Sequence, residues 1–261
     1  MSSKKTILIT GASSGIGKAS AEKFALDGIR LVLCSRNIDD LQVIKKNLEE
    51  QKKVEILVYK TDIQQASSVE AMFNNLEEKE INIDVLINNA GVALGLTSIE
   101  NSNPEDWNTM IDTNIKGLLY VTRRTLKQMS AKNSGHIINI GSIAGIYSYP
   151  NGAVYAATKS AVKFISDGLR KELVDKNIKV TNIQPGLVET NFSNTRFYGD
   201  KEKAKNVYKG IKPLTAEDIA DVIVYVVNTA QHVQICEITL TPLHQASVDT
   251  IYRGSNMSDN L

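Results

Sequence analysis

Cysteine and histidine are scarce in this 261-residue chain, and neither sign of charge dominates it. The two cysteines, Cys34 and Cys236, have no metal-type neighbour in the sequence. They read as reduced packing residues, which points to a cytoplasmic protein rather than a disulfide-stapled secreted one. The three histidines, His136, His232 and His244, lie out of helical reach of each other and of any Cys or carboxylate cluster. No metal is expected, and each histidine reads as a surface or strand-end residue. Thirty basic against 29 acidic residues leave a formal charge of +1, so no nucleic-acid or membrane partner is expected. The longest apolar runs, such as residues 222–227, are far too short to span a bilayer. Residues 1–10 lead straight into a glycine turn and read as a first strand, not a signal peptide.

Short runs rich in Ile, Val and Leu alternate with longer amphipathic stretches from end to end. The strand candidates are residues 6–10, 30–35, 54–61, 83–88, 136–140, 179–184 and 237–241. Helical patterns occupy 15–26, 39–52, 67–79, 104–129, 154–176 and 216–228. Such alternation calls for an α/β fold: a parallel seven-stranded sheet, doubly wound, with helices on both faces and right-handed crossovers. The near-continuous apolar strands fit a sheet covered on both sides. No linker or repeat divides the chain, so a single domain over residues 1–261 is expected. Two segments escape the alternation: a polar insertion at 187–213, and a tail from 245 whose residues 254–261 are expected to fray.

The segment Thr10-Gly11-Ala12-Ser13-Ser14-Gly15-Ile16-Gly17 follows the first strand and opens the first helix. Glycines there permit a tight turn, close approach to a pyrophosphate and close helix–strand packing, while the helix N-terminus supplies a positive field. In isolation such a turn can equally be a structural cap. The second strand ends Leu33-Cys34-Ser35-Arg36-Asn37, with no carboxylate where NAD enzymes place one to hold the ribose 2′-hydroxyl. Arg36 suits a 2′-phosphate, which favours NADP(H); the alternative is a solvated strand-end arginine.

The spacing Gly-x-x-x-Gly-x-Gly resembles that of the short-chain dehydrogenase/reductase family, whose fold is Rossmann-type. Further segments fall where that family has its motifs: Asn88-Asn89-Ala90-Gly91, Asp112-Thr113-Asn114-Ile115, Asn139-Ile140-Gly141-Ser142, Tyr155-Ala156-Ala157-Thr158-Lys159 and Gln184-Pro185-Gly186-Leu187-Val188-Glu189-Thr190. The resemblance covers residues 10–190. One departure is Ser14, where many NADP-preferring relatives carry a second basic residue.

The resemblance implies roles for these residues. Gly11, Ser13, Ser14, Gly15, Ile16 and Gly17 would cradle the cofactor phosphates. Asp62, Ile63 and Asn89 would line its adenine side, and Val188 and Thr190 would approach the nicotinamide carboxamide. Asp62 or Thr190 could instead cap a helix. Tyr155 would be the catalytic acid/base, Ser142 would hold the substrate oxygen against it, and Asn114 would position a water relayed through Lys159. Tyr155 and Lys159 share one helix face. A nearby ammonium stabilises phenolate and lowers a tyrosine pKa that is otherwise about 10. A lone Tyr-x-x-x-Lys would more simply be an exposed pair.

Residues 189–200, with Asn206-Val207-Tyr208, Pro104-Glu105-Asp106-Trp107 and Tyr252-Arg253-Gly254, resemble the subgroup that oxidises serine, allo-threonine and other 3-hydroxy acids with NADP. A substrate carboxylate needs a cationic partner when buried. Arg196 is the candidate, with Arg253 second; alternatively Arg196 pins its own loop to an acid such as Asp200. A reductase of 3-oxoacyl thioesters, sugars or diketones is a competing reading, and a non-catalytic NADPH-binding sensor is another. The resemblance also implies a homotetramer built through helices 104–129 and 154–176 and the last strand.

Overall fold

In the computed structural model, which describes residues 4–26 and 28–254, seven strands build one sheet. Along the chain run β1 (Lys5–Thr10), α1 (Gly15–Phe24), β2 (Ile29–Ser35), α2 (Ile38–Gln51), β3 (Glu55–Lys60), α3 (Ala66–Glu78), β4 (Val85–Asn88), α4 (Pro104–Ile111), α5 (Leu118–Lys132), β5 (Gly135–Ile140), α6 (Ala153–Glu172), β6 (Ile178–Pro185), α7 (Phe192–Arg196), α8 (Lys201–Asn206), α9 (Ala216–Val227) and β7 (Glu237–Leu240). The strands pair in parallel in the order β3-β2-β1-β4-β5-β6-β7. This is the Rossmann-type, doubly wound architecture expected from the alternation.

Strand periodicity divides the core. In β1, Ile7 and Ile9 face one way and pack with Phe24 of α1, Leu41 of α2 and Ile219 and Ile223 of α9. Leu8 faces the other way, with Phe73 of α3, Val121 and Met129 of α5 and Leu169 of α6. All are buried, as a sheet covered on both faces requires. Strand β1 has β2 on one side and β4 on the other, so consecutive connections leave on opposite faces. A crevice opens beyond the carboxyl ends of β1 and β4, where ligands bind in open α/β sheets.

Several elements differ from the sequence expectation. The helix expected over 104–129 is interrupted by a π turn, Asp112–Gly117. A π turn takes one more residue per hydrogen-bonded loop. It lets buried Asn114 reach Val92 while Gly117 lies against Ile63, whose side chain would sit 2.8 Å from a Cβ there. Helix α6 stops at Glu172 rather than 176. The insertion 187–213 carries two short helices, α7 and α8; Asp200 caps the latter by accepting from the Lys203 backbone N–H. The tail turns back on itself: the Tyr252 N–H donates to the His244 carbonyl and the Gly254 N–H to that of Gly210. Residues 255–261 of the expected fray lie outside the described residues.

Cys34 is a buried packing residue whose thiol burial pushes up to about 12, but Cys236 is exposed rather than packed. Among the described residues no helix is long and apolar enough to cross a membrane, and no cluster of His, Cys, Asp or Glu side chains is arranged to hold a metal.

Of the two readings for His136, strand end rather than surface holds: it is buried near the start of β5, with Nε2 3.0 Å from the Thr181 hydroxyl. Burial first, then the charges of Lys179 and Lys5, lower its pKa to about 3. The folded pKa lies below the unfolded one of about 6.5, so on acidification the unfolded chain takes up a proton that the fold refuses. This contribution to stability is complete above about pH 6.5 and is lost progressively as the pH falls towards about 3. The slope approaches about 1.4 kcal/mol per pH unit. Urea titrations from pH 7 down to 4 should show a shallower loss of stability for His136→Gln than for the unaltered chain; parallel curves would refute this.

Candidate active site

The crevice begins at the turn between β1 and α1. Gly11 and Gly15 adopt φ of +63° and +51°, the left-handed region that side chains disfavour. Gly17 is required for closeness instead: a Cβ there would fall 2.4 Å from the Gly11 carbonyl oxygen and 2.5 Å from Asn89 Nδ2. That Asn89 amide donates to the carbonyls of Thr10 (2.9 Å) and Gly11 (3.1 Å). The Thr10 hydroxyl in return accepts from the backbone N–H groups of Asn89 and Ala90. Ser14 is the N-cap of α1 but its side chain makes no capping bond. The first-turn N–H groups, which have no partner inside a helix, therefore keep their donor capacity. Ser13, Ser14, Gly15 and Ile16 line one side of a cavity of about 390 Å³.

Arg36 stands at the cavity's edge after β2. Its side chain is exposed and forms no hydrogen bond or ion pair among the described residues. Asp62 and Ile63 line the same region. Asp62 also closes a local turn: its carboxylate accepts from the Gln64 N–H, and its own N–H donates to the Ser68 hydroxyl. Thr190 lies against Gly15, within 3.3 Å of where a Cβ would be, and Val188 stands beside it in the cavity wall.

Deeper in the crevice, Ser142 at the end of β5 meets Tyr155 and Lys159 of α6. The Ser142 hydroxyl accepts from the Ala144 N–H and donates to the Pro185 carbonyl, and it stands near enough to the Tyr155 phenol to act on its proton. Burial first, and the neighbouring Tyr149 second, push the Tyr155 phenol above its ordinary value; the Ser142 hydroxyl and the Arg196 charge pull the other way. Lys159 is buried, and desolvation lowers its ammonium to about 8. Its Nζ donates to the Ile140 carbonyl at 2.8 Å and lies 6.0 Å from the centre of the Tyr155 ring. Arg196 and Lys159 thus both stand about equally close to the Tyr155 ring, 5.8 and 6.0 Å from its centre, while the lysine is also tied to the end of β5.

Asn114 and Gly17 stand behind the cavity wall. The Asn114 side chain accepts from the Val92 N–H and donates to the Val92 carbonyl and the Thr158 hydroxyl. Its amide hydrogens are both engaged, so the side chain braces the loop after β4. Its oxygen lies as close to Gly91 as Lys159 Nζ does, 3.3 Å from where a Cβ would be.

Arg196 lies across the opposite end of the cavity. Its Nε donates to the Gly95 carbonyl (3.1 Å) and its Nη2 to the Tyr149 hydroxyl (2.8 Å). Its guanidinium carbon stands 5.6 Å from the centre of the Tyr149 ring and 5.8 Å from that of Tyr155. The alternative pairing with Asp200 is absent, since that carboxylate engages Lys203. Arg253 does not line the cavity; its guanidinium donates to the Lys209 carbonyl.

Among the lining residues, Tyr149 and Gln245 escaped the sequence reading, while Phe192 and Tyr208 belong to the segments that carried the subgroup resemblance. Tyr149 and Phe192 flank Tyr155, the latter with ring centres 5.9 Å apart. Tyr208 donates to the Val188 carbonyl and pairs with Ser193, fixing the root of α7. Buried Gln245 accepts from the Leu187 N–H and occupies the space a Gly186 side chain would need. Of the two missed residues only Tyr149 carried a signal: it sits in the short turn that joins Ser142 to Tyr155.

A glycine turn at the switch point, with Ser, Tyr and Lys gathered beyond it, defines a nucleotide-dependent oxidoreductase site. The short chain dehydrogenase model matches residues 5–201, and the chain belongs to that family. It is 45% identical over 250 residues to the NADP-dependent 3-hydroxy acid dehydrogenase of Schizosaccharomyces pombe, covering 95% of this chain and 96% of that protein. It is 37% identical over 251 residues to the serine 3-dehydrogenase of Agrobacterium fabrum, covering 96% and 99%. Among solved structures, the closed form of a serine dehydrogenase complexed with NADP+ superposes with a TM-score of 0.88 at 39% identity, covering 95% of this chain and all of that one.

Proposed function

We propose that this chain is an NADP(H)-dependent oxidoreductase acting on the hydroxyl-bearing carbon of a 3-hydroxy acid such as serine or allo-threonine. The carrying observation is that one cavity presents the free Arg36 cation at one end and Arg196 over Tyr155 at the other. The relatives named for NADP, 3-hydroxy acids and serine support the same reading.

The residues fit the cofactor. The α1 N-terminus and the Gly11–Gly17 turn would receive the pyrophosphate. Arg36 would meet the 2′-phosphate, as a free guanidinium suits a dianionic oxygen cluster. Asp62, Ile63 and Asn89 would lie on the adenine side, and Val188 and Thr190 beside the nicotinamide. When bound, NADP+ supplies the hydride acceptor and a positive ring.

The protein's own share is proton handling and orientation. Ser142 holds the substrate hydroxyl against Tyr155. Tyr155 accepts the hydroxyl proton in oxidation and returns it in reduction. Lys159, poised by burial at about 8, conducts that proton away, with Asn114 fixing the loop around it. Arg196 binds the substrate carboxylate with the N–H groups that Gly95 and Tyr149 leave free. A homotetramer in the cytoplasm is part of this proposal; Ile111, Leu119 and Phe164, exposed on α4, α5 and α6, support the assembly.

Assays with NADP and NAD side by side on a panel of 3-hydroxy acids and neutral alcohols test the proposal; no turnover of any 3-hydroxy acid would end it. Arg36→Ala should raise the NADP Michaelis constant roughly ten- to a hundredfold and leave that for NAD unchanged. Equal efficiency with both cofactors in the unaltered chain would contradict the role of Arg36. Because burial holds the Tyr155 phenol in its protonated form, oxidation should accelerate as the pH rises. Tyr155→Phe should abolish nearly all turnover while retaining NADPH binding, and substantial residual activity would displace Tyr155 from its role. Light scattering should read four times the 28.7 kDa chain mass; a monomer would rule out the assembly.

A further inference from the structure

We infer that Tyr149 is a positioning residue for substrate selection: its hydroxyl aims the Arg196 guanidinium into the cavity, and the preference for carboxylate-bearing substrates depends on that aim. The inference rests on the carboxylate role proposed for Arg196.

Arg196 is a half-buried cation that forms no ion pair among the described residues. Everything that holds it is neutral. The bond from Nε to the Gly95 carbonyl anchors the root of the guanidinium, and the bond from Nη2 to Tyr149 anchors its tip. One bond alone leaves the planar group free to turn about its side-chain torsions; two bonds on different nitrogens set the plane. A guanidinium carries five N–H donors, so two bonds leave three for a ligand. Because both holding groups are uncharged, they orient the cation without neutralising it, as Asp200 would have done.

The backbone around Tyr149 is built for this placement. The ring lies against Gly152, where a Cβ would come within 2.1 Å of ring carbons Cε2 and Cζ. The Gly152 N–H also donates to the Tyr149 carbonyl, closing the turn just before α6. The turn that carries Tyr149 therefore leads directly into the helix that presents Tyr155. Arg196 is thereby registered against the reacting end of the site through Tyr149, although its own short helix α7 belongs to another segment.

Tyr149→Phe removes the hydroxyl and keeps the ring. For a 3-hydroxy acid the KM should rise about tenfold, the loss of one bond to a charged group, with kcat changed less than twofold. An uncharged secondary alcohol of similar size should keep its KM, and an unchanged thermal melt shows that the variant is folded. In the Arg196→Ala background the same substitution should cause no additional loss. Equal damage to acids and neutral alcohols by Arg196→Ala would refute the parent reading. Acid-selective damage by Arg196→Ala alongside an unaltered KM for Tyr149→Phe would overturn only this inference. It would fall too if the two losses multiply, because Tyr149 would then act on the substrate itself, or if Tyr149→Phe harms both substrate classes.

Discussion

At Gly17 the absence of a single carbon decides where the rest of the site can stand. Helix α1 approaches the end of β1 so closely that a Cβ would collide with the Gly11 carbonyl oxygen and the Asn89 amide. Into the contact that glycine permits, Asn89 delivers two hydrogen bonds, to Thr10 and Gly11. Two elements distant in sequence, the exits of β1 and β4, are thereby fixed at the point where the sheet reverses its winding. Buried backbone carbonyls must be paired, and here a side chain from the neighbouring strand does the pairing. The turn is consequently rigid before any ligand arrives, and the α1 N-terminus is held in one direction.

From that fixed end the wall of the crevice follows strand by strand. Residues Asn88, Asn139 and Asn182 stand opposite one another across β4, β5 and β6. Asn88 bonds to Asn139 and Thr122, and Asn139 bonds to Ser166 of α6. Asn88 Oδ1 and the Asn182 amide have no protein partner among the described residues, while the bonded part of this buried row is specific. It fixes the registration of α5 and α6 on the sheet, and α6 carries Tyr155 and Lys159. Positioning of the reactive side chains thus rests on polar packing below them as well as on their helical spacing.

Local patterns carried most of the architecture. Runs rich in Ile, Val and Leu and bounded by turns marked all seven strands, although the buried β6 also takes Lys179, Thr181, Asn182 and Gln184 into the sheet. The glycine turn and the Ser142, Tyr155 and Lys159 positions were legible since each combines a residue type with a spacing or a place at a strand end. What stayed hidden is long-range. Nothing near Gln245 announces that it would fill the space above Gly186, nor does residue 196 reveal that its partner is Tyr149 and not Asp200. The π turn at Asp112–Gly117 was missed for the same reason: its cause is the contact of Asn114 with Val92 and of Gly117 with Ile63, on segments distant in the chain. His136 does stand at a strand end, as one of its two readings had it, but it is no surface residue, because the sheet continues beyond β5 on both sides and even the start of that strand is covered.

Desolvation acts on both members of the Tyr155–Lys159 pair and drives each towards its neutral form, the phenol upwards and the ammonium downwards. Burial alone therefore opposes phenolate formation, and the opposing pull comes first from the Ser142 hydroxyl and then from Arg196, whose guanidinium keeps its proton throughout the physiological range. The phenol's poise is therefore shared among its neighbours and rests on no single side chain.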